Sequence, residues 1–271
     1  MRIPLYQVDA FADRPFAGNP AAVCVLESWP EDSLLQAIAA ENNLAETAFV
    51  SANPDGSYRL RWFTPSFEIP LCGHATLATG FVLVHRLGVD HAPLRFHTLS
   101  GELLVSQDGD RLVMDFPAYA AEPAMLTDRI VAGLGGQPTE FLRAGINYYA
   151  VFEDEAQVRT LQPDYGVLLD LMRGTDIIGF VPTAPGRDYD FVSRYLAPEE
   201  GTTMTEDPVT GSIHCALVPL WADRLGKTTL HAYQASARGG ELFCELIERD
   251  GVPRTLIGGY VQPYLQGAIE V

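Results

Sequence analysis

The spacing of apolar and polar positions changes period several times along this 271-residue chain, and each change marks an element. LYQVDAF (5–11) and AAVCVL (21–26) alternate as strands do, and the turn-rich FADRPFAGNP joins them. Ser28-Trp29-Pro30-Glu31 has the form of a capping box. It predicts a helix running to about Asn42 that buries Leu34, Leu35 and Ile38. ETAFVSA (46–52) and YRLRWFT (58–64) flank Asn53-Pro54-Asp55-Gly56 as a hairpin. GELLVSQ and RLVMDFP form a second hairpin around Asp108-Gly109. Between the hairpins, about 74 to 87, the period is helical and nearly every face is apolar. That predicts a buried helix, stopped by Gly88.

The same helix start occurs twice. EIPLCGHATLATGFVLVHRLG (68–88) and EDPVTGSIHCALVPLWADRLG (206–226) align at an offset of 138 with 7 of 21 positions identical. Chance would give about one. Arg61-Trp62-Phe63-Thr64-Pro65 is matched by Arg194-Tyr195-Leu196-Ala197-Pro198 at an offset of 133, so 138 − 133 gives five extra residues, falling within Glu199 to Thr205, before the second helix. Gly101-Glu102-Leu103 is matched by Gly240-Glu241-Leu242. These repeats predict an α+β fold of two pseudo-symmetric lobes. Each is a barrel-like, mostly antiparallel sheet around a central buried helix, and not a doubly wound sheet. Residues 118 to 140, rich in Ala, Pro and Gly, read as the crossover. The expected domains are 1–117 and 118–258.

Each repeated helix start carries free backbone N–H donors and the positive end of a dipole. Two such ends facing one cleft would clamp an anion such as a carboxylate. Near them lie the residues able to move a proton. Glu46 sits in the otherwise apolar NLAETAFV. There it is either a desolvated general base or an edge-strand carboxylate facing water. His74 follows Gly73 at the first helix start, where the dipole favours a neutral imidazole; it either passes a proton or bonds locally. Asp207 precedes Pro208 and caps the second helix, acts chemically, or both. Cys72 faces the first turn, where a thiol can have a lowered pKa. Its repeat partner is Thr210, so a symmetric pair of cysteine bases is absent from the sequence. The asymmetry favours one main base.

Composition narrows the remaining classes. Net charge is −17, which leaves no basic face for nucleic acid or an acidic membrane. No apolar run is long enough for a transmembrane span, and no signal peptide is visible at the start. Cys24, Cys72, Cys215 and Cys244 form no C-x-x-C pair and read as reduced thiols of a cytoplasmic protein, with no metal site. Lys227 is the single lysine among 18 basic residues and falls where the chain should be exposed, so a pyridoxal-phosphate Schiff base has no candidate. Gly226-Lys227-Thr228 follows a helix instead of opening one, and Gly133-x-Gly135-Gly136 lacks the setting of a dinucleotide site. His85, His91, His97, His214 and His231 read as surface or core residues.

The pieces VDAF…GNPAAV (8–23), NLAETAFV (43–50), FTP…IPLCGHATLA (63–78) and EDPVTGS (206–212) together resemble the PhzF-like family of phenazine biosynthesis, which has the diaminopimelate-epimerase-like fold. The resemblance implies an isomerase without cofactor, usually a homodimer, whose active site lies between two lobes. It also implies that the last strand, 259–271, returns to the first lobe. By position, Glu46 matches the proton-transferring glutamate, and His74 and Asp207 match the other catalytic positions. Gly73, Gly211 and Ser212 match the groups that hold the substrate carboxylate, and Cys72, Ala75 and Asn19 are further substrate-binding candidates beside them. In the phenazine enzyme that substrate is trans-2,3-dihydro-3-hydroxyanthranilate. Ala45 departs from the serine often found there, which removes a hydroxyl near the substrate. Two other readings remain: a racemase or epimerase using Cys72, and a carboxylate-binding protein without chemistry.

Overall fold

The structure is a computed structural model that describes residues 1–200 and 205–271. The chain forms two compact units, Met1–Asp115 with Ile257–Val271, and Phe116–Leu256. In the first, strands β1 (Arg2–Ala10) and β2 (Asn19–Val25) pair antiparallel. Helix α1 (Asp32–Asn42) then crosses over to β3 (Glu46–Ala52), which lies parallel to β2. β4 (Tyr58–Phe63) returns antiparallel and pairs with the short β5 (Glu68–Ile69). Helix α2 (Gly73–His85) follows, then β6 (Leu94–Thr98), β7 (Gly101–Asp108) and β8 (Arg111–Pro117).

The second unit repeats this order. β9 (Glu122–Pro123) and α3 (Asp128–Leu134) lead to β10 (Glu140–Ala144), paired antiparallel with β11 (Asn147–Val151). Helices α4 (Glu155–Thr160) and α5 (Tyr165–Met172) cross over to β12 (Gly179–Pro185), parallel to β11. β13 (Phe191–Ser193) returns antiparallel, then α6 (His214–Leu225) leads into β14 (Thr229–Gln234), β15 (Gly240–Arg249) and β16 (Val252–Gly259). β17 (Val261–Glu270) belongs to the first unit and pairs antiparallel with β1 along its length, from Arg2↔Glu270 to Ala10↔Val261. The fold is mixed α+β. The parallel steps β2–β3, β4–β6, β11–β12 and β13–β14 are the places where a helix intervenes. Among the described residues no helix is long and apolar enough to cross a membrane.

The repeat extends to individual bonds. Arg61 grips Glu68 through two N–H···O bonds of 2.7 and 2.6 Å, and Arg194 grips Glu206 through bonds of 2.8 and 2.7 Å. Each arginine also reaches a crossover helix: Arg61 bonds Asp32 at the start of α1, and Arg194 donates to the Val158 and Leu161 carbonyls at the end of α4. Thr76 Oγ1 donates to the Cys72 carbonyl; four residues into the second copy, His214 Nδ1 donates to the Thr210 carbonyl at 2.9 Å. Burial lowers the His214 pKa to about 4, so this ring is neutral. α6 contains Pro219, which cannot donate to the Cys215 carbonyl, and the Tyr119 N–H does so instead at 2.8 Å.

Several expectations need correction. Ser28 does not cap a helix. α1 starts at Asp32 with Glu31 as its N-cap and no side-chain cap, because the Trp29 indole is drawn away to donate to Ser51 Oγ and lies under Arg59. Leu34 is only half-buried, and Ala39 takes its place beside Leu35 and Ile38. The stretch 118–140 is not plain linker, since it holds β9 and α3. α3, α4 and α5 each start on a polar cap, Thr127, Asp154 and Asp164, whose oxygen accepts the N–H three residues on. α6 begins at His214, later than the repeat suggested; Gly211–Ile213 form a turn, so Asp207 does not cap it. Within the five-residue insertion, 201–204 lie outside the described residues.

Candidate active site

The first unit brings Asn19, Glu46, Cys72, Gly73, His74 and Ala75 together. Gly18 holds the turn before β2 at φ +67°, and a Cβ there would lie 2.2 Å from the Ala10 carbonyl oxygen, so only glycine fits. That turn delivers Asn19 as the first residue of β2, fully buried. Glu46 opens β3 two strands' width from β1, with its side chain 13% exposed. Cys72 is the extended N-cap residue of α2, and Gly73, His74 and Ala75 are its buried first turn.

His74 is the hub. Its Nδ1 lies 3.2 Å from Asn19 Nδ2 and 3.5 Å from Cys72 Sγ, and its Nε2 lies 3.1 Å from Glu46 Oε2. With the Asn19 amide N–H donating to Nδ1, the neutral ring carries its proton on Nε2, against Glu46. If the ring gains a second proton, the Asn19 amide can turn its oxygen to Nδ1–H, so one side chain serves both states. The Glu46 contact is short enough for an ion pair but is off the line of a hydrogen bond. Oε2 and Nε2 are therefore both buried without an aligned partner. A native interior seldom leaves two such atoms facing each other unless something else is to be bonded there.

Electrostatics distinguishes the three groups. Burial, reinforced by the Glu46 charge, pushes the Cys72 thiol up to about 11. The helix start does not lower it as expected, because desolvation outweighs the dipole. Burial alone would lower the His74 imidazole. The Cys72 and Glu46 side chains beside the ring outweigh it and hold His74 well above 6.5. The expectation of an imidazole kept neutral by the dipole is thus overturned. A raised folded pKa contributes stability that is full below the unfolded value of 6.5 and lost as pH rises through the folded one. Wild type should therefore melt above His74→Gln by a larger margin near pH 6 than near about pH 9. A margin that widens with pH in thermal melts would contradict the pairing.

Glu46, Cys72 and His74 also offer ligand atoms all within 4.8 Å of one another. In the observed rotamer the thiol and the carboxylate address different ring nitrogens. That suits passing a proton through the ring better than chelating one ion.

The second unit has a different inventory. Asp207 is half-buried, its carboxylate accepts the Thr210 hydroxyl, and its N–H donates to the Tyr195 carbonyl at 3.1 Å. Gly211 is buried and Ser212 exposed, in the turn that leads into α6. At the repeat offset Ser212 stands where His74 stands in the first unit. Glu46 has no counterpart. β12 opens with Gly179 as β3 opens with Glu46, and a Cβ at Gly179 would lie 2.3 Å from the Tyr195 ring. A second base is excluded sterically at that position. Gln234 was not foreseen. It is fully buried and bonded to both ends of the Asp207–Thr210 turn. Its one signal in the sequence is a polar residue on the buried phase of the alternating TLHAYQ. The four cysteines are free and buried.

Solved structures with this architecture include a hydroxyproline epimerase from Agrobacterium vitis. Its TM-score is 0.66 at 10% identity over 99% of this chain and 92% of that one, a likeness of fold alone. A second is a phenazine biosynthesis protein of the PhzF family from Enterococcus faecalis, with a TM-score of 0.93, 43% identity and full coverage of both chains. A protein of Pseudomonas aeruginosa named as an uncharacterized isomerase is 48% identical over the whole of both chains. The chain belongs to the phenazine biosynthesis-like PhzC-PhzF family, whose model matches residues 8–263, and it is an isomerase.

Proposed function

We propose that this isomerase moves a proton on a small carboxylic acid without a cofactor, with Glu46 as the base. The observation that carries the reading is the buried Glu46–His74 pair, 3.1 Å apart and lacking an aligned bond, in a fold whose second unit places a side-chain-free Gly179 at the position matching Glu46. A desolvated carboxylate beside an imidazole is a group poised to take a proton and give it back. His74 tunes and relays, while Asn19 and Cys72 fix its ring. Gly73 and Ala75 supply N–H donors for a carboxylate at the start of α2; in the second unit, Gly211, Ser212 and Asp207 are the positions that the family resemblance assigns to the substrate. A ring acid of the trans-2,3-dihydro-3-hydroxyanthranilate type is the candidate that the family resemblance offers, with Ala45 in place of the serine often found beside it. The family resemblance further supports a homodimer, and the four free cysteines suit the cytoplasm.

The racemase reading has one point in its favour, a cysteine at the helix start. Against it stand a thiol held protonated up to about 11 and Thr210 at the position of the second cysteine. A pure binding protein would have no use for a buried, misaligned carboxylate–imidazole pair. The test is incubation in D2O with trans-2,3-dihydro-3-hydroxyanthranilate, proline and trans-4-hydroxy-L-proline, followed by proton NMR. A double-bond isomer carrying one new deuteron supports the reading. Deuterium at an inverted α-carbon supports the racemase instead. Cys72→Ala, which removes the thiol without adding bulk, should keep most of the rate. A loss on the order of 10³-fold, beyond what positioning gives, would transfer the chemistry to the thiol.

A further inference from the structure

We infer that Gln234 is a positioning residue for Asp207 and acts through the Thr210 hydroxyl. The inference rests on the assignment of Asp207 to the reacting site. Gln234 ends β14 with its side chain fully buried, yet it meets three groups of one short turn. Its Oε1 accepts the Thr210 N–H at 2.8 Å. Its Nε2 donates to the Asp207 carbonyl at 2.8 Å and lies 3.3 Å from Thr210 Oγ1. The Thr210 hydroxyl in turn donates to Asp207 Oδ2.

The direction of these bonds matters. A threonine hydroxyl has one proton. An amide N–H pointing at its oxygen occupies the accepting side, and the proton is left to point at the carboxylate. Gln234 thus decides where the Thr210 proton goes, and Thr210 decides which oxygen of Asp207 is taken and how the carboxyl plane is turned. Ser236, two residues on, tethers the same turn through the Pro208 carbonyl at 2.7 Å but touches neither Thr210 nor the carboxylate. It therefore serves as an internal control for mere holding of the loop. Gln234 and Ser236 lie on one phase of the chain, and only the first is wired to the acid.

The test uses turnover of trans-2,3-dihydro-3-hydroxyanthranilate by the full chain. Gln234→Leu keeps the size and removes all three bonds. Thr210→Val keeps the shape and removes only the hydroxyl, so it carries the test if the first variant fails to fold. Each should lower kcat about 10- to 100-fold with KM moved much less, the range expected from misplacing a reacting group by about an ångström. Thr210→Ser should restore most of the loss in Thr210→Val, and Ser236→Ala should stay within about threefold of wild type. In an Asp207→Asn background the cost of either variant should shrink to under about threefold, because residues acting as a unit are not additive. Amide exchange at Thr210 needs no substrate and should quicken in Gln234→Leu. The inference is overturned if the cost is the same with Asp207→Asn, if Ser236→Ala costs as much, or if Thr210 exchange is unmoved. Glu46→Gln in the same assay separates the two levels. If it leaves turnover intact, the proposed function fails and takes this inference with it; if it abolishes turnover while Thr210→Val does not, only the inference fails.

Discussion

Glu46→Gln should lower turnover by roughly 10²–10⁴, the usual worth of a positioned acid–base group. Glutamine keeps the size of the side chain and a polar atom opposite His74 Nε2, but it cannot take a proton near neutral pH. The substitution therefore separates chemistry from packing. It should also be visible without substrate. The Glu46 charge helps hold His74 above its ordinary range against burial, so in the variant the His74 titration, followed by ring-proton NMR, should move down. A fall in rate with an unmoved His74 would mean that the two side chains are not electrically coupled, despite their 3.1 Å separation.

The second large effect concerns stability. Arg194→Met should destabilise the protein by about 3–5 kcal/mol in chemical denaturation, the cost of breaking a buried pair from one side. The arginine side chain is 10% exposed and the Glu206 side chain 16%, and the variant strands that carboxylate together with the Val158 and Leu161 carbonyls. Arg194→Met with Glu206→Gln removes the uncompensated charge and should recover part of the loss. Its counterpart Arg61→Met should cost less, because one of its partners, Asp32, is 71% exposed and can be rehydrated. Equal losses at the two arginines would show that burial does not decide the difference.

Much of this architecture was readable in the residues because it is written twice. The offset of 138 marks not only two helices but the same bonds, Thr76 to the Cys72 carbonyl and His214 to the Thr210 carbonyl. Glu68 and Glu206 were identical letters; that each is gripped by the arginine of the matched Arg61 and Arg194 segments needed coordinates. Both predicted hairpins pair as the alternation required, Ala52 opposite Tyr58 and Asp108 opposite Arg111. The failures are local ones. α3 to α5 span only 6 to 8 residues each, too short to establish a helical period, although their Thr and Asp caps are in plain sight. The Ser28 box failed because Trp29 found a tertiary partner stronger than a local cap. The charge states of Cys72 and His74 were misjudged for two different reasons: burial raises the thiol and close neighbours raise the imidazole, and both are set by packing, whereas a sequence shows only the helix dipole. Gln234 showed in the sequence only as a polar residue on a buried phase, because its bonds to the Asp207–Thr210 turn are a set of distances and not a motif.

The central claim, that Glu46 is the base of a one-base isomerase, is tested most directly by measuring exchange and binding on the same samples. Wild type and Glu46→Gln are compared for deuterium entering trans-2,3-dihydro-3-hydroxyanthranilate from D2O, and for affinity by calorimetry with a non-reacting ring carboxylate. The account predicts that deuterium enters with wild type and hardly at all with the variant, while affinity changes far less, because the helix-start donors hold the carboxylate. A variant that binds the ring acid and still exchanges deuterium at near the wild-type rate would contradict it, and the proton transfer would then have to pass through His74 or Cys72.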